Sequence, residues 1–299
     1  MKRSTLVRPA AGFTMIEIAL SLAIIGFALV AILGVLPIGL GVQKDNREET
    51  IIDQDAVVWM NAIRNGSVGY DDLTNYVISI TNVVTTYTWK NNAPFPLETD
   101  TNSYLTNISY YNDNPMVPPY ALTNGLHIIG LLTKPKYESV AGAGLGPMAG
   151  PIFGTNFLSN YVVATIRAIS GSAVEKAPQD NPDILSGAFS YRMIVELTSC
   201  VPVNTNSIDL VFTNNLTKPQ YLDRLHFTET VWNMQTNLHD LRLTFRWPLL
   251  PTGDLGNGRA TFRSLIGGRI ASTNDFYDRG VVTNYFIEPS VYASSQHGP

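Results

Sequence analysis

The hydrophobic and polar positions divide the chain into one long apolar block near its start and a larger region of mixed character. Residues 18–42 form a run of twenty-five positions without an ionisable side chain. A helix rises about 1.5 Å per residue, and a bilayer core needs about 20 apolar residues. The block therefore predicts a transmembrane helix over residues 13–42, whose apolar side chains favour insertion by roughly 5–10 kcal/mol.

Beyond Val42 the pattern becomes that of an amphipathic helix. Charged residues appear at positions 44–49, and apolar residues then recur at spacings of four, three and four, at Ile52, Ala56, Trp59 and Ile63. This spacing places the four residues on one helix face, so we predict that the helix continues over residues 43–66 and docks a head domain through this stripe. Gly66 is the predicted C-terminal cap. Because Pro37 lacks a backbone N–H, we predict that the helix is kinked or loosened there. The alternative is that Pro37 is a proline of the ordinary kind found in membrane helices, without a special role.

Residues 67–186 predict a β-rich region that is inserted between the helix and a later sheet. β-Branched runs at residues 76–80 and 126–129 predict short strands. Turns rich in asparagine and proline are predicted at residues 91–94 and 114–119. The glycine-rich residues 140–154 predict a loop, and they lack the glycine spacing of a nucleotide-binding site.

Residues 187–299 contain three segments in which apolar and polar positions alternate. The apolar positions are Tyr191, Met193, Val195 and Leu197, then Leu241, Leu243, Phe245 and Trp247, then Ala260 and Phe262. A period of two predicts strands with one buried face, and residues 251–258 predict a hairpin loop between the last two. The predicted fold class is α+β: a long N-terminal helix, membrane-spanning in its first half, packs on an antiparallel sheet with a large β-rich insertion.

Composition narrows the possible functions. With 45% hydrophobic and 15% charged residues the chain is not disordered, and a net charge of -4 argues against a protein that coats nucleic acid. Cys200 is the only cysteine, so no internal disulfide can form, and the four histidines are scattered. We expect no catalytic site and interpret Cys200 as a small buried hydrophobe.

Calcium is the one cofactor for which the sequence offers ligands. Hard oxygen donors cluster in two places, at Asn274, Asp275 and Asp278 and at Asp254 and Asn257. Neither set forms a recognised calcium loop, and turn formation explains both. We therefore predict no cofactor and leave calcium as the alternative.

An acidic residue stands at the start of the apolar block. A carboxylate in lipid costs about 2–3 kcal/mol, so Glu17 predicts a functional role with a cation or a hydrogen-bond donor as its partner. Gly12 precedes it by five positions, in the run Gly-Phe-Thr-Met-Ile-Glu, after a leader that contains Lys2, Arg3 and Arg8 and no acid. This region resembles the type IV prepilin family, which includes the pseudopilins of type II secretion.

The resemblance implies that a prepilin peptidase cuts between Gly12 and Phe13 and methylates the new amino terminus at Phe13. It also implies that Glu17 pairs with the terminal amine of a neighbouring subunit during assembly. Residues 1–12 are then a cytoplasmic leader, and their loss removes three basic residues and no acidic one, which takes the formal charge from -4 to -7. Because an ammonium and a carboxylate are each costly alone in lipid, pairing across subunits favours a polymer.

We therefore expect a minor pseudopilin-like or pilin-like subunit of a type II secretion or type IV pilus-type filament. The expected partners are the prepilin peptidase, other pilin subunits, an inner-membrane assembly platform and lipid, and no nucleic acid. The expected location is the inner membrane, with a single pass, a cytoplasmic amino terminus and a periplasmic head, and then the filament. Residues 189–269 are more weakly similar to the late strands of minor subunits and to the Verru_Chthon cassette proteins.

Other interpretations remain open. A secretory signal could be cut near residues 39–41, but it leaves Glu17 unexplained. The head could be a filament-displayed adhesin or substrate-binding module, or an enzyme on a membrane stalk. The polar face of the predicted sheet carries a set of arginines, with Glu196 as a possible counter-charge: Arg242, Arg246, Arg259 and Arg263. This face could be solvated, covered by the insertion, in contact with another subunit or in contact with nucleic acid.

Overall fold

The computed structural model describes residues 12–66, 71–90, 93–106, 120–122, 124–139, 156–170, 188–200, 234, 236–277 and 280–288. The chain divides into two compact units, Met1–Thr50 and Ile51–Pro299. The described part of the first unit is almost entirely helical, and the second unit contains the sheets. The predicted turn at 114–119, the glycine-rich loop at 140–154 and residues 1–11 lie outside the described residues.

The first helix, α1, covers Met15–Asn65 as one element, as the two adjoining patterns predicted. It ends at Gly66, whose φ of +74° is a left-handed conformation that glycine adopts without a side-chain clash. The predicted C-terminal cap is therefore confirmed. α1 also continues through Pro37, so the loosened turn that this proline predicted does not interrupt the helix.

The other elements form an eight-stranded sheet and a two-stranded sheet. The strands of the larger sheet are β1 (Val77–Lys90), β2 (Ala93–Leu105), β3 (Tyr120–Ala121), β4 (Tyr137–Ser139), β5 (Asn156–Arg167), β6 (Ser190–Ser199), β7 (Leu238–Leu249) and β8 (Leu255–Gly267). Their order is β3-β2-β1-β5-β6-β7-β8, and β4 pairs with β5 beside this path. All pairs are antiparallel except β2 with β3. The smaller sheet pairs β9 (Arg269–Tyr277) with β10 (Gly280–Glu288), and a short 3-10 helix spans Asp71–Asn75.

The predicted meander is confirmed as β6, β7 and β8. The loop between β7 and β8 is shorter than the predicted 251–258, because Trp247 pairs with Gly258 and Leu249 with Leu255. β5, from the predicted insertion, pairs directly with β6, so that Val162 lies opposite Val195. Strands from both predicted regions therefore belong to one sheet.

One apolar cluster joins the sheet to the last part of α1. The alternating positions of β6 and β7 are buried, from Tyr191 to Leu197 and from Leu241 to Trp247. The helix stripe is equally buried, at 0% exposure for Ile52, Trp59 and Ile63 and 1% for Ala56. The fold class predicted from the two periodicities is thus confirmed as α+β, with the helix laid on a mostly antiparallel sheet.

A buried carboxylate in this stripe ties the helix to the sheet. Asp55 is fully buried, and its Oδ2 accepts hydrogen bonds from the N–H of Ile169 and the hydroxyl of Tyr191, both at 2.9 Å. Its Oδ1 accepts from the N–H of Ser170 at 2.8 Å and from the Ser170 hydroxyl. The indole N–H of Trp59 donates to the Tyr191 oxygen at 2.9 Å. Burial and the Asp55 charge raise the pKa of Tyr191 well above its ordinary value, so the hydroxyl keeps the proton it donates.

A second helix, α2, covers Gly125–Leu132, where the sequence predicted a strand at 126–129. That prediction was wrong. The side chain of Asn124 caps the helix by accepting a hydrogen bond from the N–H of His127 at 2.8 Å. Because nearly every residue of α2 is buried, its sequence shows a continuous apolar run without helical periodicity, and burial overrides the strand preference of its isoleucines.

The two-stranded sheet packs on α2. A Cβ atom at Gly130 would lie 2.5 Å from the Cβ of Asn284 on β10, so only glycine permits this close approach. On the same strand the Tyr285 hydroxyl donates to Glu138 at 2.9 Å, and Glu138 also accepts from Asn160 at 2.6 Å. These contacts link the smaller sheet to β4 and β5.

Replacing Asp55 with alanine tests the anchor. The Asp55→Ala change leaves the N–H groups of Ile169 and Ser170 and the Tyr191 hydroxyl without their acceptor, and each loss costs about 1–3 kcal/mol. We expect the free energy of unfolding to fall by roughly 3–5 kcal/mol, which would lower the Tm of the full chain in detergent. Asp53→Ala, at an exposed position two residues earlier, is the control and is expected to change stability by less than about 0.5 kcal/mol. Equal shifts for the two variants would contradict the anchor.

A buried histidine predicts a loss of stability in acid. Burial lowers the pKa of His239 in the folded chain, and the nearby Thr236 and Gly268 backbone opposes this shift only in part. In the unfolded chain the pKa of a histidine is about 6.5. Below that pH the unfolded chain binds more protons than the folded chain, so the folded state loses stability. We expect Tm to fall between pH 7 and pH 5 and to fall less in His239→Gln. An identical pH profile for both proteins would exclude His239 as the cause.

Candidate functional site

The predicted processing site lies just before α1. Gly12, Phe13 and Thr14 are not helical, and the helix begins at Met15. Phe13 is 84% exposed, and a Cβ atom at Gly12 would meet no atom within 4 Å. The peptide bond between Gly12 and Phe13 is therefore open to solvent and outside the helical hydrogen-bond ladder. Residues 39–41, the alternative cleavage region, lie inside α1.

Glu17 has an intrachain partner that the sequence interpretation missed. Its Oε2 accepts from the Thr14 N–H at 3.0 Å and from the Thr14 hydroxyl at 2.9 Å. In return the Glu17 N–H donates to the Thr14 hydroxyl oxygen at 3.3 Å, and the Thr14 carbonyl accepts the first helical bond, from Ile18 at 3.2 Å. This is the reciprocal capping box of a helix N-terminus. The signal was present in the sequence as a threonine followed three residues later by a glutamate.

The capping box occupies only one carboxylate oxygen. Among the described residues no donor reaches Oε1 of Glu17, and both residues of the box are exposed. The structure thus brings Gly12, Phe13 and Glu17 together at one end of α1, with Thr14 between them. The pairing of Glu17 with a neighbouring subunit's amine stays a prediction.

As far as Val42, the helix that follows has exposed apolar side chains. Among the described residues, α1 is the single helix that is long and apolar enough to cross a membrane. A membrane anchor and a signal sequence are both compatible with such a helix near the amino terminus. Its large apolar side chains from Phe13 to Val42 are between 48% and 88% exposed. Exposed surface of this extent requires lipid or other helices to cover it.

The arginine face lies where the sequence placed it. Arg242 is opposite Arg263, and Arg246 is opposite Arg259, on the side of the sheet away from α1. Glu196 is confirmed as a counter-charge, with Oε2 3.7 Å from Arg242. Three further residues of this face were not identified from the sequence. Nζ of Lys136 lies 2.6 Å from Glu196, and Oδ1 of Asp240 lies 2.6 Å from Nε of Arg263. Arg192 lies opposite Arg246 in the strand register.

The remaining candidate ligands do not converge within the described residues. Asp254 accepts a hydrogen bond from Thr252 at 2.9 Å in the turn before β8, which fits the turn-forming role. Asn257 lies in β8, and the side chains of Asn274, Asp275 and Asp278 lie outside the described residues. No group of three or more His, Cys, Asp or Glu side chains in the described ranges could hold a metal ion. Cys200 is half-buried at the end of β6.

No protein-family model, no curated protein and no solved structure matches the chain. The resemblance to prepilins therefore depends on the residues of the amino-terminal segment.

Removing the Thr14 side chain tests the capping box. Loss of an N-terminal cap costs about 1 kcal/mol, which corresponds to roughly a fivefold larger open population of the first turn. We expect Thr14→Ala to raise hydrogen exchange of the Glu17 and Ile18 amides by about that factor in detergent, and Thr14→Ser to restore protection. Thr50→Ala, which removes an exposed hydroxyl bonded to the Asn46 carbonyl, is the control on the same helix. Unchanged exchange in Thr14→Ala would contradict the box.

Proposed function

We propose that the chain is a prepilin-like precursor that is cut after Gly12 and assembled as a minor subunit of a type II secretion or type IV pilus-type filament. One observation carries the proposal. An exposed, non-helical Gly12–Phe13 bond lies four residues before a carboxylate, at the start of a helix whose apolar side chains are exposed as far as Val42. An anchor alone needs neither the open peptide bond nor the acid.

The chemistry of assembly follows from the free carboxylate oxygen. Cleavage after Gly12 would create a new amine at Phe13, and methylation would keep it cationic. Thr14 holds Oε2 of Glu17, which leaves Oε1 to accept the amine of a neighbouring subunit. In a bilayer or a helical bundle, both charges are costly unless they are paired, so this contact favours one register between adjacent helices.

The proposed location and partners follow from the same segment. The basic leader would stay in the cytoplasm, the apolar part of α1 would cross the inner membrane once, and the sheet domain would lie in the periplasm. The prepilin peptidase would recognise the leader and Gly12, and an inner-membrane assembly platform would draw the subunit into the filament. There the helices would cover one another's apolar surface in place of lipid.

Mass spectrometry of the native amino terminus tests the proposal. We expect a mature chain that begins with methylated Phe13, and we expect Gly12→Val to retain the leader because a branched side chain blocks the position before the scissile bond. Gly26→Val is the matched control, since a Cβ atom at Gly26, as at Gly12, meets no atom within 4 Å. A chain that starts near Val42, or an uncut chain in cells with an active peptidase, would overturn the proposal.

The Glu17 carboxylate has its own test in cells where cleavage is confirmed. Glu17→Gln keeps the size of the side chain and a capping oxygen but removes the charge that would neutralise the amine. We expect normal processing and at least about a tenfold loss of filament-incorporated protein, as for the loss of one charge-assisted hydrogen bond. Asp53→Asn, at an exposed acid later in α1, controls for lost charge. Full incorporation of Glu17→Gln would show that the charge is dispensable.

A further inference from the structure

The larger sheet ends at a long strand edge. Among the described residues β8 pairs with β7 on one side and with no strand on the other. Residues 258–267 keep an unbroken register with β7 and contain no proline. An edge strand directs backbone N–H and C=O groups away from its sheet, and a bulge or a proline is a common means of blocking a further strand there. Neither is present between residues 258 and 267, so this edge can accept another strand.

The outer face of this edge is positively charged. Arg259 of β8 lies opposite Arg246 of β7, which in turn lies opposite Arg192 of β6. None of these three arginines has an ion-pair partner within the described parts of the chain. Like charges placed directly opposite destabilise a sheet. A carboxylate beside Arg259 on an added strand would relieve this repulsion.

The inner face of the same edge is apolar. Ala260 and Phe262 lie on this face, both half-buried, and both pack on the core. The ring of Phe262 meets that of Phe245 on β7 edge to face, with centroids 5.5 Å apart. Because β8 is the last described strand of the sheet, a neighbouring strand packs beside these side chains on one side only. Apolar side chains on an added strand would cover their exposed part.

The charges of β8 disfavour a second copy of the same strand as the occupant. Two β8 strands paired antiparallel about Thr261 would place Arg259 of each copy opposite Arg263 of the other. Parallel pairing in register would place each arginine opposite its own equivalent. Both arrangements set like charges directly across from one another, which destabilises a sheet. An acidic strand from a different protein has the complementary charge.

We propose that β8 is a docking edge for an extended segment of another protein, with acidic side chains beside Arg259 and apolar side chains beside Ala260 and Phe262. Backbone hydrogen bonds would hold the segment, and its alternation of acidic and apolar positions would select it, as in other strand additions. One such contact ends with the added strand, which suits a minor subunit. The inference goes beyond the proposed function and does not depend on cleavage at Gly12, because the edge belongs to the sheet.

A synthetic peptide tests the docking edge on the full chain in detergent. Its central sequence, Glu-Val-Thr-Val-Glu, presents the required alternation in either strand direction. We expect saturable binding below about 1 mM, with slower hydrogen exchange of the β8 amides and no change in β2. The same peptide with N-methyl groups on its three central amides keeps both charges but loses the N–H groups of a strand, and is expected to bind at least about tenfold more weakly. No saturable binding, or equal binding of the two peptides, overturns the docking edge.

Charge reversal at Arg259 tests the side-chain match. Arg259→Glu is expected to weaken binding of the acidic peptide at least about tenfold, because a carboxylate would then lie beside another carboxylate. Arg64→Glu makes the same change of charge at an exposed position in the last turn of α1, and is the matched control that leaves binding unchanged. Unchanged binding in Arg259→Glu, or equal weakening in both variants, overturns the inference and leaves the proposed function intact.

Discussion

The hydrogen bonds of one buried carboxylate determine how the second half of α1 sits on the sheet. Asp55 lies in the middle of an apolar stripe, where an ion without donors would be far too costly. Four donors from the segment after β5 and from β6 surround it. Apolar contacts are non-directional, whereas each hydrogen bond to Asp55 requires a particular donor at a particular place. The carboxylate permits one register, because only that register satisfies its oxygens.

The two halves of α1 therefore obey opposite constraints. From Ile51 onward the helix has one buried face, fixed by packing and by Asp55. From Met15 to Val42 its large apolar side chains point to all sides of the helix and are exposed. A helix of the first kind belongs to a globular domain, and a helix of the second kind needs a bilayer or other helices. The proposed function assigns each half the environment that its surface requires.

Much of this architecture could be predicted from sequence because it depends on periodicity. The apolar block, the stripe at Ile52 and Trp59, and the alternation in β6 and β7 each repeat with the period of one element type. The misses occurred where periodicity carries no information. α2 is buried on nearly all sides, so its pattern resembles a buried strand. Asp55 interrupts a stripe, and a single polar residue reveals nothing about donors that are 114 to 136 positions away. The Thr14–Glu17 box is readable from its spacing, whereas the cost of an acid in lipid predicts a partner on another molecule.

The position of Thr14 has a consequence for the order of events at the amino terminus. Its amide and hydroxyl both lie downstream of the Gly12–Phe13 bond, so loss of the leader would take no hydrogen bond away from the first helical turn. The same cap would serve precursor and product alike. If cleavage occurs there, a new ammonium group would emerge four residues ahead of a carboxylate that Thr14 already orients, and the mature helix would begin with its first turn preformed.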